Sequence, residues 1–250
     1  MIESTKPDDL TIPPIKGTLP KAERDALAAK KWKSVIACAA GYDGPNFSLY
    51  TLGIKVKNCS NFLVENCTVT KHTAGISIEN STLVKVDQCV TSYCRVGTRV
   101  AATSTDVTIT DCVSNQNIGS GIELFEVTRC LVTKCVSSNN GIHNYILHGK
   151  TSYSVVSNCI GKSSGWFSET MPYPGSSSFN AYDVGPGVYF QENIAETQHD
   201  VTGNDGNGFI VDTSANGVMF LKNTARDCDG NGIALTLTNN SIVVDNVITG

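Results

Sequence analysis

The chain has 250 residues, 40% hydrophobic and 7% aromatic, with a net charge of −4. That is enough apolar surface for one domain-sized core. From Gly161 onward only Lys162, Lys222 and Arg226 oppose ten acidic residues, which argues against a nucleic-acid groove. No apolar run approaches membrane-spanning length, and Met1 to Leu10 is too polar and acidic for a secretory signal.

In chain order, Met1 to Gly17 is Pro-rich and polar and reads as an extended arm. From Pro20 to about Ala39 the pattern suits a helix, with Thr18 able to cap it and Ala22, Ala26, Leu27, Ala29 and Trp32 in favourable positions. Its expected role is to cover the first strand edges of whatever follows. Gly41 to Tyr50 is a turn-rich entry, so 1–52 forms one unit of arm and capping helix.

A single template then repeats over 53–250. Its first copy is Gly53, an apolar/polar alternation (Ile54 to Lys57), a polar turn (Asn58 to Asn61), a second alternation (Phe62, Val64) and the anchor Glu65-Asn66-Cys67. Starting glycines recur at Gly75, Gly97, Gly121, Gly141, Gly208 and Gly232. Anchors recur at Gln88-Cys89, Asp111-Cys112, Lys134-Cys135, Asn158-Cys159, Glu192-Asn193, Asn223-Thr224 and Asn246-Val247. The apolar pairs before them include Val84/Val86, Val107/Ile109, Cys130/Val132, Met219/Leu221 and Ile242/Val244. Period-2 alternation inside a fixed longer period means short strands stacked on copies of themselves. The expected fold is all-β: a single-stranded, right-handed parallel β-helix solenoid of about eight coils with an N-terminal helical cap, roughly 40 Å long at ~4.8 Å per coil. The C-terminus follows a second strand with no capping segment, so homo-oligomerisation through that end is expected as a hazard.

Five of the ten cysteines share one repeat slot. Cys67, Cys89, Cys112, Cys135 and Cys159 should stack inward as a ladder of reduced thiols, pointing to an intracellular or virion-associated setting. The turns Asp205-Gly206-Asn207-Gly208 and Asp229-Gly230-Asn231-Gly232 recur one coil apart. They read as stacked turns, with calcium as the alternative and no other cofactor expected.

The Gly-x-apolar-x-apolar coils with Asn-Cys or Asn-Thr anchors, covering about four fifths of the chain, resemble the right-handed β-helix repeat proteins of the pectate-lyase-like superfamily. The resemblance implies a carbohydrate partner and a site on one long face of the rod. It does not carry over catalytic residues. Leu147-His148-Gly149 and Asn204-Asp205-Gly206 match no polygalacturonase motif, and Thr197-Gln198-His199-Asp200 only partly echoes that of alginate epimerases.

The residues themselves concentrate functional groups at coils five to seven. The ruler stretches at 161–179 and 195–207, at one place in the repeat, so two long loops should emerge side by side. Asp212 occupies an outward slot shared with Lys57, Glu79 and Phe125. Asp183, counted back from the inward pair Val188 and Phe190, should face outward one coil away, close enough for the two carboxylates to couple as acid and base. His148 precedes them, and His199 and Asp200 lie in the second loop. Trp166, Tyr173 and Tyr182 offer flat surfaces for sugar rings, with Lys150 nearby. Against this, both aspartates precede turns, where local hydrogen bonding also explains them, and His148 suits a turn or core position.

The leading expectation is a carbohydrate-interacting β-helix binding a polysaccharide or glycan, with polysaccharide lyase or glycoside hydrolase chemistry. The alternative is a non-catalytic structural or adhesive rod.

Overall fold

The computed structural model describes residues 34–36, 39–41, 52–166, 175–199, 205–214 and 216–250. Each coil holds three strands rather than the two read from the sequence, as in Leu52–Lys57, Ser60–Glu65 and Thr68–Thr70. The extra strand is three residues long with one inward side chain, so it shows no alternation. Its inward positions, including Val69, Thr91, Ser114, Ser137, Ala195 and Ala225, are buried and mostly small. Stacking gives three parallel sheets: eight first strands, nine second strands and nine third strands among the described residues.

Eight coils run from Leu52 to Thr249. The ninth member of two sheets comes from Ser34–Ile36 and Ala39–Gly41, which pair with Phe62–Val64 and Thr68–Thr70. The helix expected over 20–39 is therefore strand at Ser34–Ile36. Ala39 at its end is strand as well, and the remainder of that helix lies outside the described residues.

The bend between the second and third strands repeats with little variation. Asn66, Gln88, Asp111, Lys134, Asn158, Glu192, Lys222 and Asp245 all have φ between 51° and 55°. Asn and Asp tolerate that left-handed conformation, whereas Gln, Lys and Glu adopt it at a cost of about 1 kcal/mol each. What holds them is pairing with the next coil, as in Asn66 N–H to Asp87 O at 3.0 Å and Lys134 N–H to Ser157 O at 3.2 Å.

The next residue points inward and forms a side-chain ladder. Cys67, Cys89, Cys112, Cys135 and Cys159 are all at most 3% exposed, and all nine described cysteines are free thiols. Each ladder thiol donates to a carbonyl two residues back, for example Cys112 Sγ to Thr110 O at 3.1 Å. The hydrogen bond with Cys112, together with burial, pushes the Cys89 thiol up to about 12, so it stays protonated and inert. From coil six the ladder changes to amides. Cys159 N–H donates to Asn193 Oδ1 at 2.9 Å, and Asn193 Nδ2 donates to Asn223 Oδ1 at 3.1 Å and to Val156 O at 2.9 Å.

This ladder corrects the register of the last coils. Asn223 and Asn246 occupy the cysteine slot themselves, and the inward pair of coil seven is Val218/Phe220, not Met219/Leu221. In coil eight Val243 pairs with Phe220. Four consecutive apolar residues, Val218 to Leu221, left the alternation ambiguous. In coil five the glycine slot is filled by Asn144 rather than Gly141, because Ile122 pairs with Tyr145. The Asn144 amide bonds Ser178 Oγ at 3.0 Å. Glycine is needed elsewhere in this row: a Cβ on Gly97 would lie 2.0 Å from Ser114 Oγ and 2.5 Å from Gly121 O.

The core changes along the rod from mostly valine and isoleucine to aromatics. Tyr145, Phe179 and Phe209 stack with centroids 4.6 Å and 4.7 Å apart, and Phe190 stacks on Phe220 at 5.3 Å. Such stacking adds about 0.5–1.5 kcal/mol per pair beyond area burial.

Replacing Asn193 by Ala strands the buried N–H of Cys159 and removes two donated bonds, and should destabilise the chain by about 2–4 kcal/mol. Urea denaturation checks this. Asn193→Cys, which restores the thiol used in the first five coils, should lose less than half as much.

Candidate active site on the first-strand sheet

Because the first strands are parallel and in register, each outward slot becomes a row of side chains along the rod. Neighbours in a row are one coil, about 4.8 Å, apart. One row runs Lys57, Glu79, Ala101 and then Phe125, His148, Tyr182, Asp212 and Thr236. The row two residues upstream runs Lys55, Ser77, Arg99, Glu123, Ile146, Asn180, Ile210 and Ala234.

The two rows meet at a compact charged group. His148 Nε2 lies 2.9 Å from Glu123 Oε1, and Arg99 Nε lies 3.5 Å from the same oxygen. The Arg99 guanidinium also sits 5.5 Å from the Phe125 ring centroid, while the His148 ring is 4.7 Å from that of Phe125. Burial of Glu123 disfavours its charge, but the hydrogen bond with His148 and the nearby charges of Arg99, His148 and Arg95 outweigh it. Its carboxyl therefore titrates below the usual range. An ionised carboxylate only accepts, so Nε2 carries the proton in this pair, and in the neutral imidazole Nδ1 then holds the lone pair of a base. The arrangement is that of an oriented imidazole with a cation beside it.

Tyr182 is the in-register neighbour of His148 and is 46% exposed. One coil beyond Ile146 in the upstream row, the buried Asn180 has an Oδ1 without a hydrogen-bond partner among the described residues.

The other expected site residues are distributed around this group. Asp212 keeps its outward slot and accepts from Thr213 Oγ1 at 2.9 Å. Asp183 does not stand beside it in the row, because Tyr182 does. Asp183 lies one residue further on, in the turn at φ 48°, where its carboxylate pairs with Lys150 Nζ. Coils five to seven each have one more residue between first and second strands than coil one, which shifts a count made back from Val188. His148 faces outward, which the sequence left open. Tyr173 and Asp200 lie outside the described residues.

Trp166 and His199 sit where the two long loops leave the rod. The loop roots stack as the repeat requires, with His199 N–H donating to Ser164 O at 2.9 Å and Ser176 Oγ donating to His199 O at 2.8 Å. The Trp166 and His199 ring centroids are 4.1 Å apart, and His199 Nδ1 is 3.6 Å from Asp229 Oδ2.

Arg99 and Glu123 were missed from the sequence, although each is the second residue after a starting glycine, a slot as regular as the one followed. His143 was missed as well. Its Nδ1 lies 3.1 Å from both the N–H and the carbonyl oxygen of Ser177, and burial lowers its pKa from 6.5 to about 4 although the carbonyl favours the protonated ring. A histidine depressed in the fold binds its proton more readily when unfolded. Its contribution is complete above pH 6.5 and is lost as pH falls towards 4. Thermal melts between those limits should show wild type losing about 2 kcal/mol, with His143→Asn losing distinctly less.

Among known families, the one described as right handed beta helix region matches residues 52–170. No curated protein sequence matches the chain. Among solved structures, the alginate lyase of Paenibacillus sp. str. FPU-7 aligns with a TM-score of 0.52 at 13% identity, covering 84% of this chain and 80% of the lyase. The enzymatically active domain of tailspike protein 2 from bacteriophage CBA120 aligns with a TM-score of 0.60 at 12% identity, covering 84% of this chain. The chain spans only 35% of the length of that tailspike domain. At these identities the likeness is one of fold, and it agrees with the sheets and ladder described above. The described part of the chain is a parallel β-helix, and residues 52–170 match the right handed beta helix region family.

Proposed function

We propose that the chain acts on an acidic polysaccharide and cleaves it by β-elimination on the outer face of the first-strand sheet. The observation that carries this reading is the 2.9 Å contact between His148 and Glu123, with Arg99 3.5 Å from the same carboxylate oxygen. Elimination at a uronate needs a base for the proton next to the carboxylate, a cation to draw charge into that carboxylate, and an acid for the leaving oxygen. His148 Nδ1 is the base in this reading, held by Glu123, and Arg99 is the cation. Tyr182, one coil along, is the acid. The C–H bond and the bond to the leaving oxygen break, a C=C bond forms, and the proton from Tyr182 completes the new hydroxyl.

Elimination is favoured over hydrolysis because Asp183 and Asp212 are staggered rather than paired and Asp183 is engaged by Lys150. The shared fold with an alginate lyase and with a tailspike enzymatic domain supports the carbohydrate part of the reading.

Incubation with a panel of uronate polysaccharides, followed by the absorbance of unsaturated ends, tests the proposal. Wild type should generate unsaturated product, His148→Ala should abolish it, and Glu123→Gln should slow it about 100-fold. Reducing ends without unsaturation would replace elimination by hydrolysis, and silence on every acidic polymer would remove the enzymatic reading.

A further inference from the structure

We infer that Trp166 is a second sugar-binding platform, set apart from the reacting centre, that stacks against a pyranose ring of a long chain bound across the first-strand sheet. The inference rests on the polysaccharide reading above and extends it to how far the bound chain reaches.

The indole is 50% exposed, yet it is fixed in place. Its Nε1–H donates to Ser163 O at 2.8 Å, and its ring lies against His199. The preceding Gly165 has φ 102°, and a Cβ there would lie 2.3 Å from His199 O, so the loop root allows no bulkier residue. A large aromatic ring held this way costs little entropy when a ligand settles on it. Its face is suited to the C–H face of a sugar, and the partly exposed His199 and Asp229 beside it suit the hydroxyls. The core does not use this ring: the buried aromatic stacks run through Tyr145, Phe179, Phe209, Phe190 and Phe220.

The position relative to His148 gives the inference its content. Trp166 follows Gly165, which abuts Ser176 at the start of the sixth first strand. His148 is in register with Tyr182 at that strand's far end. Six residues of strand separate the two, roughly 20 Å. A chain with one ring at His148 and another on Trp166 must therefore span several sugar units. Short oligomers reach one position only.

The test is a length series of the acidic oligosaccharide that wild type cleaves, with binding by every variant measured by calorimetry and Trp166 emission followed separately in a Trp32→Phe background, since the chain has only two tryptophans. Trp166→Ala should weaken binding of chains longer than ~20 Å about tenfold more than binding of shorter ones, and Trp166→Phe should recover most of the difference. Indole emission should respond to the long chains and not to the short. Equal losses at every length, or no loss at any, would overturn the platform while leaving the His148 chemistry intact. Failure of wild type to bind or cleave any member of the series would instead bring down the polysaccharide reading itself.

Discussion

Everything in this molecule depends on one constraint, the tight left-handed bend between the second and third strands and the side chain that follows it. Each bend fixes where a coil turns, and the inward ladder fixes how one coil sits on the next. Thiol and amide perform the same task there, each donating to a main-chain carbonyl and accepting from the N–H of the neighbouring coil. Cys89 N–H to Cys112 Sγ at 3.4 Å and Asn193 N–H to Asn223 Oδ1 at 3.0 Å are two versions of one contact. The change from thiol to amide comes at coil six, one coil after the core begins to fill with stacked aromatic rings. The amide reaches further and bonds more strongly than the thiol.

Once the ladder holds the register, function follows from geometry. Residues 25 apart in sequence, Glu123 and His148, become neighbours on one outer face. The same stacking brings the roots of two long loops together at the sheet's other edge. A rigid sheet places the acid–base group, with the roots of those loops at its edge. Glu123 is the hinge of the electrostatics, because it is buried enough to resist charge and surrounded by enough positive charge to carry it.

The period of the repeats, the parallel sheets and the inward thiols could all be read from the sequence, since spacing alone determines them. The third strand could not, because three residues with one small inward side chain leave no alternation. Register failed where the rule had no purchase. Val218 to Leu221 are all apolar, and a first turn one residue longer in coils five to seven than in coil one moved Asp183 out of the row of Asp212. That single residue separates a paired-carboxylate reading from the histidine-centred one. His148 was legible as a candidate but not its orientation, and Glu123 became visible only when both outward rows were traced.

The central claim is that the outer face of the first-strand sheet binds an acidic glycan around His148. A crystal structure of the His148→Ala variant with an oligouronate addresses it directly. The account predicts a sugar ring over the vacated imidazole position, with its carboxylate against Arg99 and the chain running towards Trp166. Density for the oligosaccharide on the second- or third-strand sheet, with the Arg99 and Glu123 surface bare, would contradict it.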